Sequence, residues 1–355
     1  MFFVGVDLHK QTITMATVDA SRNLQSRKRF SNLQTEAMVA YVKSLGSCRL
    51  TVEATASYEW FVALVEPHVE RVILAHPGKL KIIAQSTRKS DNVDARVLAE
   101  MLALDQIPAS YRPTPRQREH RLYVRHRHYL RCRMTSARNK IRRFLSNHNL
   151  DRPDLFTEAG LRYLKRVVVP PADRFCIDQL LLEWKGYRRQ VIRVDERLRE
   201  FSSTGSPQEK KDRELLKTVP GIGVVSSDVI LSELAGWQRF SSLKKVSSYA
   251  GIVPGQRESA GKRKALHIEK AGSRLLRWVL VQSSWQLVKR SVYWRFVYEQ
   301  LKLRMGAKKA IVAVSRRLLG VCYSLLKSRQ PYVERDFSDS PLPCDNSETK
   351  TKECA

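Results

Sequence analysis

The chain has 355 residues, enough for two or three domains with buried cores, and a hydrophobic fraction of 43% that excludes a wholly disordered protein. Against 35 Asp and Glu stand 64 Lys and Arg, a formal net charge of +29. A surplus of that size repels itself unless a polyanion neutralises it, so nucleic acid is the expected partner. A membrane surface is the rival, but the chain has no apolar run long enough to span a bilayer. Asp7 follows the first apolar residues too early for a signal peptide, so a cytoplasmic, nucleoid-associated protein is expected. The cysteines, Cys48, Cys132, Cys176, Cys322, Cys344 and Cys354, include no CxxC pair, which argues against a zinc site or a disulfide framework.

In chain order, β-branched and apolar runs predict strands at 2–6, 12–18, 24–30, 50–53 and 69–75, with helices at 35–45 and 58–65. Three early strands followed by alternation suggest an α/β domain with a mixed sheet. From 89 to 104 the period becomes helical, with Val93, Val97, Leu98, Met101 and Leu102 on one face. Residues 112–150 predict a long helix whose apolar stripe (Leu122, Tyr129, Leu130, Met134, Ile141, Leu145) opposes an arginine-covered face. Arg125, Arg131, Arg138 and Arg142 are its candidate nucleic-acid contacts. A second long helix at 173–201 carries mixed charges and could pair with the first as a hairpin about Pro170-Pro171. The Ser/Gly/Pro-rich stretch from 202 predicts a linker, and a compact, mainly helical region follows it. The division expected is 1–111, 112–201, a linker at 202–211, 212–333 and a disordered tail at 334–355.

Asp7 and Glu53 each end a hydrophobic strand, where a carboxylate is held rigidly at a sheet edge. Asp91 and Asp94 are three apart and project from one side of a helix. Brought together, these acids would repel unless divalent cations sat between them. Such ions can activate an attacking oxygen and stabilise a leaving one in phosphodiester chemistry. Taken singly, each acid reads equally as a turn residue or a helix-dipole partner.

In the second half, Val219-Pro220-Gly221-Ile222-Gly223 before an apolar helix resembles a helix-hairpin-helix turn. Gly221 and Gly223 would let backbone amides approach a phosphate. Ser259 lies between Gly255 and Gly261, ahead of Lys262, Arg263, Lys264, His267 and Lys270. A serine edged by cations suits nucleophilic attack on a phosphodiester, since positive charge stabilises the pentacoordinate phosphorus.

VGVDLHK at 4–10, VEAT around Glu53 and KSDNVDARVLAEML at 89–102 resemble the insertion-sequence 110 family of DEDD transposases, and 216–281 resembles the family's C-terminal domain. The resemblance implies α/β plus α architecture: a ribonuclease-H-like, resolvase-like N-terminal domain, a coiled-coil region of long helices, and a helical C-terminal domain. It implies that Asp7, Glu53, Asp91 and Asp94 are catalytic and bind Mg²⁺ or Mn²⁺, and that Ser259 is the nucleophile. The Ser259-Ala260-Gly261 order departs from the family's Ser-Gly, which leaves Ser273 in reserve. It further implies a bacterial or archaeal recombinase acting on donor and target double-stranded DNA. A structured guide RNA (the bridge RNA) and a homodimer or homotetramer are its implied partners. Two other classes stay open: a metal-dependent junction nuclease without a covalent intermediate, and a non-enzymatic DNA- or RNA-binding protein whose acids are structural.

Overall fold

The computed structural model describes residues 1–55, 57–83, 91–259, 262–268 and 272–334; at 81–83, 91–93, 256–259 and 262–267 the backbone alone is described. The chain divides into two compact units, Met1–Arg112 and Pro113–Ala355. The tail expected from 334 onward lies, after Glu334, outside the described residues. No helix among the described residues is long and apolar enough to cross a membrane.

The first unit is built on one mixed sheet. Strands β1 (Phe2–Leu8), β2 (Thr12–Val18) and β3 (Leu24–Ser31) form an antiparallel meander. On the other side of β1, β4 (Cys48–Glu53) and β5 (Arg71–Ala75) run parallel to it, giving the order β3-β2-β1-β4-β5. Helices α1 (Thr35–Ser44), α2 (Tyr58–Val65), α3 (Pro77–Ile83) and α4 (Asp91–Ala103) complete the unit. Central β1 is covered on both faces, which is why it reads as a continuous apolar run. Val4, Val6 and Leu8 pack with Met38 and Val42 of α1 and Phe61, Val62 and Val65 of α2. On the opposite face Phe3 meets Ala99 and Leu102 of α4. Edge strand β3 instead exposes Arg27, Lys28 and Arg29, charges that discourage pairing with a further strand.

The second unit begins with α5 (Pro115–Ser146), α6 (Glu158–Arg166) and α7 (Pro171–Ser203). Thr114 starts α5 in a reciprocal capping box with Gln117, and Pro115 occupies the first helical position. The two long helices pack together, with Met134, Ala137, Ile141 and Leu145 facing Ile177, Leu181 and Trp184. The expected hairpin is therefore present, but α6 lies within its connection. Pro171 begins α7 rather than forming a turn, because its fixed φ and missing N–H suit a first helical turn.

The open linker expected at 202–211 is also replaced by helix. Ser202 and Ser203 finish α7, and α8 (Pro207–Lys217) starts after Thr204-Gly205-Ser206. Ser206 caps α8 by accepting from the Glu209 amide at 3.2 Å, and Arg116 clamps the corner through Glu209 and the Phe201 carbonyl. There follow α9 (Val224–Glu233), α10 (Leu243–Ala250), the antiparallel hairpin β6 (Pro254–Ser259) and β7 (Lys262–Ile268), then α11 (Arg274–Arg290), α12 (Val292–Met305) and α13 (Ala307–Ser328). Leu216, Ile230, Val246, Leu276, Leu287, Val314 and Leu318 form their core. Val124 and Leu198 of the long helices belong to the same buried cluster, so hairpin and helical region share one interior.

Candidate active site and basic groove

In the first unit, Val6 is in register with Val52 on the parallel strand, and Asp7 and Glu53 come one residue later on each. Side chains of parallel neighbours point to the same face, so the two carboxylates emerge side by side at the strand ends. Alternation along β1 puts Phe3, Gly5 and Asp7 on that face, the one α4 covers. Phe3 meets Leu102 and Ala99, whereas a Cβ on Gly5 would stand 2.0 Å from the Ala95 carbonyl oxygen and 2.4 Å from the Ala99 amide nitrogen. The helix thus runs back along the strand, and its first turn arrives where Asp7 emerges. That turn carries Asp91, whose side chain lies outside the described residues, and the exposed Asp94. Gly5 is the residue that permits this closeness. A glycine inside a strand, two positions before the acid, is the signal that sequence reasoning passed over.

Nearby groups tune the corner. The Asp7 side chain is 16% exposed, and its Oδ2 lies 3.0 Å from Nε2 of His9. Thr14 sits opposite Asp7 in the β1–β2 register, and Thr55 follows Glu53 by two. The Oγ1 atoms of both threonines are buried without a hydrogen-bond partner among the described residues. Carboxylate and hydroxyl oxygens are hard donors of the kind Mg²⁺ and Mn²⁺ prefer, so the donor chemistry fits such an ion. Among the described residues, no group of three or more His, Cys, Asp or Glu is arranged to hold a metal; the Asp91 side chain is not among them.

In the second unit, the candidate arginines divide by what holds them. Arg125 donates to both carboxylate oxygens of Glu233, at 2.8 and 3.0 Å, and Glu233 is 1% exposed. Burial pushes the Glu233 pKa up, but Arg125, with help from Arg121 and the Ser273 hydroxyl, more than offsets this and leaves it below the ordinary value. Arg142 is spanned by Asp151, at 3.1 Å, and the Pro153 carbonyl. Arg138 lies over the Phe156 ring, 4.7 Å from its centroid. Arg131 instead lines a groove of about 1280 Å³ walled by α5, α7, α8, α9 and α11.

The glycine pair also divides. Gly221 has φ +95°, and a Cβ there would stand 2.8 Å from the Leu287 amide nitrogen of α11, so this glycine serves packing inside the unit. Gly223 caps α9 with open space around its Cα. Ser259 is the last residue of β6, opposite Lys262, with Glu258 opposite Arg263 and Arg257 opposite Lys264. It therefore ends a strand rather than sitting within a loop; the side chains of Ser259, Lys262, Arg263 and Lys264, and all of Ala260 and Gly261, lie outside the described residues. Ser273 caps α11, its Oγ accepting from the Leu276 amide at 3.2 Å.

Acids at the end of a mixed sheet thus share the chain with a helical unit that carries a basic groove, the combination expected of a protein that processes nucleic acid. Residues 4–149 match the DEDD transposase family of IS110 elements, and residues 213–299 match the Transposase IS116/IS110/IS902 family. The transposase for insertion sequence element IS1328 of Yersinia enterocolitica is 24% identical, over 82% of this chain and 85% of its own. That for IS1111A of Coxiella burnetii is 20% identical, over 93% and 90%. The pilin gene-inverting protein of Moraxella bovis is 21% identical, over 94% and 98%. The two matched segments place the chain among the IS110-family transposases.

Proposed function

We propose that this transposase cuts and rejoins DNA through a covalent serine–DNA intermediate, using a ribonuclease-H-like acidic corner that binds Mg²⁺ or Mn²⁺. The observation that carries the reading is the arrival of Asp7 and Glu53 on adjacent parallel strand ends beneath the first turn of α4. Asp7, Glu53, Asp91 and Asp94 would hold the metal, which when bound supplies positive charge against a DNA phosphate and an oxygen activated for attack or departure. Ser259 Oγ attacks the phosphorus, an Oγ–P bond forms, and one P–O bond to deoxyribose breaks. The leaving oxygen takes a proton while the serine proton passes to solvent. The phosphodiester energy is retained, so religation needs no ATP. Lys262, Arg263 and Lys264, in register with β6, would neutralise phosphate charge beside the serine. The capping role of Ser273 argues for Ser259 as nucleophile. A structured guide RNA and a dimeric or tetrameric assembly belong to the same reading, supported by the net charge of +29 and the need to hold several sites together.

The test is incubation of purified protein and co-purified RNA with labelled donor and target DNA and Mg²⁺, followed by denaturing gels. A protein–DNA adduct that is absent in Ser259→Ala and present in Ser273→Ala is the expected result. Cleavage without any adduct makes the chain a metal-dependent junction nuclease, and an adduct surviving Ser259→Ala removes that residue from the chemistry.

A further inference from the structure

Trp278 of α11 is 47% exposed although Leu275, Leu276, Val279 and Leu280 around it are buried. Its ring centroid stands 4.9 Å from that of His128 on α5, tilted by 53°. Beside it at the start of α9, Val224 and Val225 are also exposed, and all four side chains line the same groove. Burial, with a smaller push from the charge of Arg127, lowers the His128 pKa, so this wall is apolar and uncharged at neutral pH.

The rest of the groove is cationic, and its cations are of two kinds. Arg127 is held by Asp195 at 2.5 Å and Arg213 by Asp228 at 2.8 Å. Arg131, Lys140 and Arg143 on α5 and Arg199 on α7 line the groove without an ion-pair partner among the described residues. The α5 wall runs from Val124 to Arg143, about 29 Å at the helical rise of 1.5 Å per residue. Positive charge left unpaired along such a length calls for a polyanion, which disfavours a second copy of this +29 chain as occupant. A duplex satisfies the cations but hides the faces of its bases. An unpaired strand satisfies the cations and offers a base to the aromatic wall as well.

We propose that this groove binds a single strand of nucleic acid, stacking an unpaired base on Trp278 while Arg131, Lys140, Arg143 and Arg199 hold the flanking phosphates. The strand is RNA or displaced DNA; the stacking chemistry is common to both. The inference rests on the chain being a nucleic-acid-processing enzyme but uses none of its cleavage chemistry.

The experiment is equilibrium binding of full-length protein, in EDTA, to fluorescent 12-nucleotide DNA and RNA strands of one sequence and to the blunt DNA duplex. Trp278→Ala should weaken binding of the preferred strand about 5- to 150-fold, the range expected for one lost base–aromatic stack, and leave duplex affinity unchanged. Trp278→Phe, which keeps a ring, should recover most of the loss. Tighter RNA binding assigns the groove to an RNA strand, and tighter DNA binding to an unpaired DNA strand. Single-strand binding by Trp278→Ala equal to wild type, or an equal loss on strand and duplex, overturns the proposal. Failure of the adduct assay leaves this result standing, and loss of Trp278 dependence leaves the adduct assay standing.

Discussion

The acidic corner of the first unit and the basic groove of the second both concentrate charge, and they do so by opposite means. Asp7 and Glu53 owe their places to strand register, and the α4 turn to a backbone contact at Gly5, so each position is set by main-chain geometry. The cations of the groove hang on long side chains along helix faces, where neighbours can substitute for one another. A site fixed by backbone should fail all at once, whereas a site made of dispersed charge should weaken in steps.

The sharpest break is Asp7→Asn, which keeps the shape and removes the charge. Cleavage in Mg²⁺ should fall at least about 100-fold, the scale for losing one preorganised electrostatic group, while DNA binding is retained. Cleavage within a few-fold of wild type would make the corner structural. Next comes Gly5→Ala. Its new Cβ would meet the Ala95 carbonyl oxygen at 2.0 Å, so α4 must shift, at a cost of about 3 kcal/mol in urea unfolding and with loss of cleavage. Gly223→Ala is the matched control in the second unit: nothing lies within 4 Å, and the expected cost is under about 1 kcal/mol. Equal effects at the two glycines would dissolve the contrast.

Smaller than the Gly5 effect is that of Glu233→Gln. Breaking a buried ion pair costs about 3–5 kcal/mol, but Arg125 is 55% exposed, so about 2 kcal/mol is expected. Because the folded pKa of Glu233 lies below its unfolded value, its contribution is complete above the unfolded value, about 4.3, and is lost as pH falls through the folded one. Urea unfolding followed from neutral pH into acid should therefore show wild type losing stability below that range, and Glu233→Gln losing less there. Parallel curves would assign the stabilisation to another carboxylate.

The same division separates what sequence discloses from what it conceals. The strands bearing Asp7 and Glu53 are legible because a sheet core demands apolar runs of strand length, and Asp91 and Asp94 fall on α4 because its apolar period is helical. Gly5 is opaque, since its reason is the backbone of Ala95 and Ala99, on a helix remote in sequence. Arg125 looks like any other member of an arginine-rich face, because its partner Glu233 is 108 residues distant. Gly221 has the spacing of a phosphate-binding turn, yet its φ of +95° and the backbone of α11 account for it. Helix α6 escapes because it spans only nine residues, too few turns to fill the window of about 11–18 residues over which a helical period is read. Local pattern specifies elements; the use of a glycine or an arginine depends on what arrives from elsewhere in the chain.

The smallest expected effect is the most informative about the groove. Lys140→Ala removes one phosphate contact from a set of four, so affinity for a single strand should fall only a few-fold at low salt. What must change is the slope of log affinity against log salt, which should become shallower by about 0.7, the value for one released counterion on a single strand. Arg143→Ala should add a similar decrement, since independent phosphate contacts sum. Arg127→Ala should behave differently: it strips the partner from Asp195, leaving a negative charge in the groove, and should cost more affinity than its single charge implies. If Lys140 and Arg127 substitutions give the same slope and the same loss, the distinction between unpaired and paired cations fails, and the groove reduces to a field of undifferentiated positive charge.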